Sequence, residues 1–175
     1  MRKSNWISAG LFGAWALHDV EELLTMARSS KELGQRAPDW LPIPQDIRRE
    51  GLSQRHINTG VGIMALFMAV ASLDGARTGG RSGFFQTVLQ GFGWHGIGHL
   101  AISGLAREYV SGVATAPVVV IPYWLWARRE LARGKVLVVP VQLRAFVAVP
   151  AVILGTHAVT RVLTRRPHLR PDNGA

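Results

Sequence analysis

The sequence predicts an all-α protein, an integral membrane bundle of about five transmembrane helices with a range of four to six. Apolar residues make up 48% of its 175 residues, and they lie in blocks instead of being scattered at helical or strand period. The blocks cover residues 6–26, 57–73, 84–106, 110–127 and 136–159. Each block is close to the ~20 residues that cross ~30 Å of hydrocarbon. We therefore expect a multi-pass protein of a cell membrane.

The first block is the most polar, because the stretch HDVEE interrupts it. Asp19, Glu21 and Glu22 would each cost about 2.5 to 3.5 kcal/mol near the bilayer centre. Two interpretations remain open. Either the span ends near Leu17 and the acids lie at the interface, or groups inside the bundle offset their charge.

The next three blocks carry no charged side chain, whereas the last carries Arg144, Pro140 and Pro150. An arginine near the end of a span can extend to the interface, and membrane helices tolerate proline because neighbouring groups satisfy the freed carbonyl. The last block is therefore counted as a span, although the predicted number of spans ranges from four to six.

The remaining segments predict a single transmembrane domain over residues 1–165. Three prolines between residues 38 and 44 exclude a continuous helix there, and Trp40 suits the head-group level. Residues 29–55 are thus predicted to form an interfacial loop. Residues 166–175 are predicted to form a basic, flexible tail.

The formal charge of +9 is explained by basic residues between the apolar blocks and at the chain ends. Anionic lipid head groups favour such flanks, and no basic residues interleave with aromatics as they do on nucleic-acid-binding surfaces. We expect membrane lipids as partners and no nucleic acid.

Helical spacing places His18 on the same face as Glu21 and Glu22, while Asp19 points elsewhere. In the third block, His95 and His99 are four residues apart and share a face. Glycines 93, 96 and 98 beside them would allow close approach of another helix. We therefore expect the first and third spans to be adjacent. Interhelical hydrogen bonding is the plainer alternative for the histidine pair.

Two further histidines are weaker candidates. His56, at the start of the second span, reads as an interfacial group. His157, in the last block, either completes a cluster or is hydrogen-bonded within the bundle.

The motif His18, Glu21 and Glu22 in the first apolar block resembles that of the HXXEE family of small prokaryotic integral membrane proteins. That family has a later histidine, best matched by His99, followed by a Tyr-x-Pro-Gly motif. Here Tyr109 and Gly112 match, but Ser111 stands where the family motif has proline. The resemblance covers roughly residues 6–125. It implies a tight turn at Tyr109 and Gly112, and its buried polar motif suggests a membrane-bound enzyme without an assigned reaction.

Histidines with carboxylates are the ligand set of zinc hydrolases and non-haem iron sites. The sequence predicts a divalent zinc or iron ion held by His18, Glu22, His95 and His99. Glu21 and Glu22 are the predicted catalytic acids: one helps to hold the ion, and the other takes a proton from water as general base. The expected substrate is a lipid or another membrane-embedded molecule. A non-enzymatic protein that uses the cluster for proton or cation passage, or for helix packing, is the alternative.

Overall fold

The computed structural model describes residues 3–136 and 143–164, and all regular secondary structure in that part of the chain is helical. The all-α prediction is therefore confirmed. The helices are α1 (Lys3–Arg36), α2 (Gln45–Glu50), α3 (Gln54–Thr78), α4 (Gly83–Ala106), a π-helical turn (Ala116–Val120) that continues into α5 (Ile121–Arg133), and α6 (Leu143–Thr164). The predicted tail at residues 166–175 lies outside the described residues.

The predicted loop at residues 29–55 is shorter in the structure, because α1 continues to Arg36 and α2 forms within the segment. Helix α1 ends just before Ala37-Pro38, where the proline disfavours helical backbone in the preceding residue. Arg48 of α2 stabilises the segment between α1 and α2. Its guanidinium donates to the carbonyl oxygens of Pro38 at 3.0 Å and Leu41 at 3.2 Å. The segment is a structured connection between α1 and α3.

Local capping explains where α3 and α4 begin. The Ser53 side chain accepts from the backbone N–H of His56 at 3.2 Å, and Ser82 accepts from Phe84 at 3.1 Å. Gly79 follows the last residue of α3, and its positive φ of 64° is the usual conformation of a residue after a helix.

The fourth apolar block begins its helix later than residue 110. Residues 107–114 form turns, and the π-helical turn follows from Ala116. Here the N–H of Ile121 donates to the carbonyl of Ala116, five residues earlier. Pro122 has no N–H to donate and its ring crowds the carbonyl four residues before it, so a widened turn relieves the conflict.

In the described part of the chain, the buried residues of the hydrophobic core come from α1, α3, α4 and α5 with its π-helical turn. Helix α1 packs mainly against α3, and α4 packs against the π-helical turn and α5, while α6 contacts α3 and α4. The largest buried side chains of the core include Leu11 from α1 and Phe85 and Leu89 from α4. Helix α5 approaches α4 closely at Gly93, where the Trp124 indole covers the backbone. Gly93 and Gly96 thus admit the π-helical turn and α5, as expected of small residues, whereas a Cβ at Gly98 would meet nothing within 4 Å.

The five-span membrane bundle is not confirmed. Within the described residues, one helix, α3 (Gln54–Thr78), is long and apolar enough to cross a membrane. Helix α1 contains the acids of HDVEE and several flanking charges, and α4 contains Gln86, Gln90 and two histidines, which lower its hydropathy. Each of the five apolar blocks overlaps one of the long helices.

The approach of α5 to Gly93 gives a direct test of this packing. A Cβ at Gly93 would lie 2.2 Å from Trp124 Cδ2, whereas a Cβ at Gly98 on the same helix meets nothing within 4 Å. We expect Gly93→Ala to lower the free energy of unfolding by ~1 to 3 kcal/mol through overpacking. Gly98→Ala should be neutral or stabilising, because alanine favours helix. Thermal unfolding of the two purified variants compares them, and equal melting temperatures would contradict this helix pairing.

Candidate metal centre

Three histidines and one glutamate meet between α1 and α4. His18 and Glu22 come from α1, and His95 and His99 come from α4. One ligand atom from each residue lies within 4.8 Å of those of the other three. Each pair is spaced by four residues, so one turn of each helix presents both of its side chains to the same place. The structure thus brings together the four residues predicted as metal ligands.

The carboxylate of Glu22 is the centre of this cluster. Its Oε1 lies 3.3 Å from Nε2 of His99, 3.8 Å from Nε2 of His18 and 3.9 Å from Nε2 of His95. The Nε2 atoms of His95 and His99 are 2.9 Å apart. Three imidazole nitrogens therefore point toward one carboxylate oxygen.

The cluster is buried on the α1 side and more open on the α4 side. His18 is fully buried and Glu22 nearly so, whereas the His95 side chain is 27% exposed. The His18 ring packs edge-on against His99, with ring centroids 5.0 Å apart, and against His95 at 5.3 Å. These contacts restrict the rotation of the His18 imidazole.

Two nitrogens of the cluster are buried without a hydrogen-bond partner: Nε2 of His18 and Nδ1 of His99. Buried polar atoms are nearly always paired, so such an atom needs an explanation. For His18 the unpaired nitrogen is the one that faces the cluster. A lone pair directed at three other ligand atoms is the arrangement in which imidazole binds a cation.

Glu21 lies outside this cluster and binds the turn that follows α4. Its Oε1 accepts from the Tyr109 hydroxyl and from the backbone N–H of Ala114 at 3.1 Å. Its Oε2 accepts from the N–H of Thr115 at 2.7 Å and from the Thr115 hydroxyl at 2.5 Å. The two adjacent acids of the motif therefore have different surroundings: Glu22 faces histidines, and Glu21 faces a turn.

Gly112 brings that turn against the cluster. Its φ is +85°, in the left-handed region that favours glycine. A Cβ at Gly112 would lie 2.7 Å from Cε1 of His18 and 2.8 Å from Cε1 of His99. Glycine is thus required here both by backbone conformation and by the two rings. Tyr109, the other matched residue of the turn, does not touch the cluster; its hydroxyl donates to Glu21.

Three hydrogen bonds of this turn were not anticipated from the sequence. The Thr115 hydroxyl lies 2.7 Å from Nδ1 of His18. Ser111, which replaces the proline of the family motif, donates its N–H to Ser29 Oγ at 3.0 Å and shares a hydrogen bond of 2.9 Å with Thr25. A polar stripe on α1 was the available signal: residues 18, 21, 25 and 29 recur at helical spacing.

The remaining polar residues considered from the sequence lie outside the four-ligand group. His56 and His157 pair with each other, with Nε2 of the first 3.0 Å from Nδ1 of the second and the rings stacked. His157 is therefore hydrogen-bonded within the bundle and does not complete the cluster. Asp19 is buried on α1 but contributes no atom to the ligand group.

The fit around Gly112 predicts a strong effect of one added methyl group. We expect Gly112→Ala to destabilise the protein by ~1 to 3 kcal/mol, since the methyl group overlaps two imidazoles and alanine is strained at positive φ. Gly104→Ala is the control, because a Cβ there meets nothing within 4 Å. Chemical denaturation measures both variants. Unfolding of Gly112→Ala at the same denaturant concentration as Gly104→Ala would contradict the close contact of Gly112 with the two imidazoles.

Comparison with known proteins identifies a family for this chain. The model of a family described as proteins of unknown function with an HXXEE motif matches residues 9–127. Neither the curated proteins nor the solved structures contain a match to this chain. The matched residues include most of α1, the four ligands of the cluster and the turn at Gly112. Since this match covers more than half of the sequence, the chain belongs to the HXXEE family.

Proposed function

We propose that the chain is a membrane-embedded, metal-dependent enzyme with hydrolase-like chemistry. The observation that carries this proposal is the convergence of His18, Glu22, His95 and His99, with ligand atoms within 4.8 Å of one another. Imidazole and carboxylate together are the ligands of zinc hydrolases and non-haem iron sites. The proposed cofactor is a zinc or iron ion.

The separations within the cluster support a four-coordinate ion. Zinc binds nitrogen and oxygen ligands at about 2.0 to 2.2 Å, so the edges of a regular tetrahedron are about 3.3 to 3.6 Å. The distances from Glu22 Oε1 to the three imidazole nitrogens, 3.3 to 3.9 Å, are close to these edges. The Nε2 atoms of His95 and His99, 2.9 Å apart, are closer than such an edge and would have to separate when the ion binds. Small side-chain shifts would suffice to complete such a site.

The three histidines are the proposed permanent ligands, and Glu22 is either the fourth ligand or the general base. A bound divalent ion would supply Lewis-acid polarisation of a substrate oxygen. Glu22 would then accept the proton of the attacking water. Both acids were catalytic candidates from the sequence, but the oxygens of Glu21 already accept four hydrogen bonds. We therefore assign the base role to Glu22.

Substrate access is proposed from the α4 side. His18 is fully buried on α1, whereas His95 on α4 is 27% exposed. Catalytic metal sites keep a position open to water or substrate, and this side of the cluster is the more open one. A lipid or another membrane-embedded molecule would reach the ion from there.

The membrane location is supported by apolar side chains that the fold leaves on its outside. Every long helix carries large hydrophobic residues with more than a third of their surface exposed. Soluble monomers rarely expose apolar surface on this scale. The exposed residues include Leu17 and Leu24 on α1, Leu66 and Val70 on α3, Leu100 and Leu105 on α4, Leu125 and Trp126 on α5, and Leu154 and Val162 on α6.

A second candidate function is proton or cation passage without catalysis. It is favoured by the His56–His157 pair, which connects α3 to α6 through a hydrogen bond of 3.0 Å. Protonatable groups in series are typical of intramembrane relays.

Elemental analysis tests the metal proposal. We expect the purified protein to hold about one zinc or iron ion per chain, and Glu22→Gln to lower the affinity for that ion by more than ~10-fold, because a ligand or base charge is lost. Asp19→Asn is the matched control: it removes a buried acid of the same helix that lies outside the ligand group.

Two results would contradict the metal proposal. One is metal content at the background of a mock purification, even after incubation with zinc or ferrous iron. The other is equal metal retention in Glu22→Gln and the unmodified protein. Proton or cation flux in vesicles that is abolished by Glu22→Gln would then favour the second candidate.

Arginine substitution tests the membrane location. Leu66 lies at the middle of α3 and is 73% exposed. If its surroundings are lipid, Leu66→Arg should cost ~2.5 to 3.5 kcal/mol of insertion energy and reduce the amount of membrane-integrated protein. Trp40→Arg is the control, because Trp40 is equally exposed but lies between α1 and α2. Alkaline extraction of membranes quantifies both. An unchanged integrated fraction for Leu66→Arg would show that water, and not lipid, surrounds α3.

A further inference from the structure

The Thr115 hydroxyl stands between His18 and Glu21. Its Oγ1 is 2.7 Å from Nδ1 of His18 and 2.5 Å from Oε2 of Glu21. The three groups form a hydrogen-bonded chain that runs from Glu21 through Thr115 to Nδ1 of His18, on the side of the ring opposite the cluster. None of the other cluster histidines has a hydrogen bond of this kind to its Nδ1 in the described part of the chain.

The number of available protons fixes the direction of each bond. A threonine hydroxyl has one proton, and a carboxylate only accepts. Thr115 therefore donates to Glu21, and its oxygen accepts a hydrogen bond from Nδ1–H of His18. Neutral imidazole carries a proton on one nitrogen, so Nε2 of His18 keeps its lone pair. That lone pair faces Glu22, His95 and His99.

The position of Glu21 in turn does not depend on His18. The backbone N–H groups of Ala114 and Thr115 and the hydroxyl of Tyr109 all donate to its carboxylate. The turn thus holds Glu21, Glu21 orients the Thr115 hydroxyl, and the hydroxyl orients His18. A carboxylate that acts through a hydrogen bond on the far nitrogen of a ligand histidine increases the basicity of that ligand.

We propose that Thr115 and Glu21 are positioning residues that hold His18 in its Nδ1-protonated form, with Nε2 ready to bind a cation. This inference rests on the proposed metal centre for its effect on affinity, but the protonation pattern of His18 is independent of any ion. The two acids of the motif then have different roles. Glu21 orients the ligand His18 through Thr115, and Glu22 faces the cation.

Two substitutions at Thr115 test the affinity effect. Thr115→Val keeps the shape but removes the hydroxyl, and it should weaken binding of Zn²⁺ or Co²⁺ by ~10 to 100-fold, as loss of such partners does in other centres. Thr115→Ser keeps the hydroxyl and should remain within ~3-fold of the unmodified protein, on the same scale. Competition with a chromophoric chelator measures all three proteins.

Thr25→Val is the control for simple loosening of the turn. Thr25 also connects α1 to the turn, through Ser111, but it does not touch His18. It should therefore leave the metal affinity within ~3-fold, below the loss expected for an outer-shell partner. If Thr25→Val weakened binding as much as Thr115→Val, or if Thr115→Val bound as tightly as the unmodified protein, the positioning role would be refuted.

Nitrogen NMR of the metal-free protein with labelled histidine separates this inference from the proposed function. We expect His18 to be protonated at Nδ1 and unprotonated at Nε2, and Thr115→Val to remove this preference. Protonation at Nε2 in the unmodified protein would overturn the inference even if metal binds. Absence of metal binding together with the Nδ1-protonated form would instead overturn the proposed function and leave the positioning role supported.

Discussion

The placement of two adjacent acids on α1, with Glu22 buried and Glu21 partly buried, is the constraint around which the metal centre is organised. A buried carboxylate loses several kcal/mol of hydration unless charges or hydrogen-bond donors replace it. Because Glu21 and Glu22 are neighbours on a helix, their side chains diverge and each needs its own surroundings. The turn after α4 supplies four donor contacts to Glu21, and the imidazoles of His18, His95 and His99 surround Glu22.

These requirements account for the irregular backbone between α4 and α5. Donors can reach Glu21 only if the chain leaves helical geometry after Ala106, which it does through the turns at residues 107–114. Gly112 then passes against the imidazoles, and the π-helical turn resumes the helix before Pro122. Departures from regular helix are thus concentrated where the chain contacts the centre, as is common for functional sites.

Local periodicity was enough to predict much of this arrangement. The five apolar blocks correspond to the five long helices, and spacing of four residues identified His18 with Glu22 and His95 with His99.

The different surroundings of Glu21 and Glu22 could not be derived from the sequence, because both share a face with His18 and only the distant turn distinguishes them. Thr115 was missed for the same reason: it lies 97 residues from its partner His18. Helix α2 and the continuation of α1 to Arg36 were not predicted, because the three prolines suggested a loop throughout. In the structure the prolines lie between these two helices. The number of spans stays a prediction, since buried polar residues lower the hydropathy of the helices that contain them.

The serine that departs from the family motif shows how such a turn can be held without proline. Proline would stiffen the turn by fixing φ, but it has no N–H. At position 111 the N–H donates to Ser29 on α1, and the serine hydroxyl bonds with Thr25 one turn earlier. Arg36, further along the same helix, pairs with Glu108 at the start of the turn. Rigidity that a ring would provide within the turn comes here from contacts with α1. Since Glu21 and His18 continue that face, α1 holds both halves of the turn: its later residues bind Ser111, and Glu21 and His18 bind Thr115.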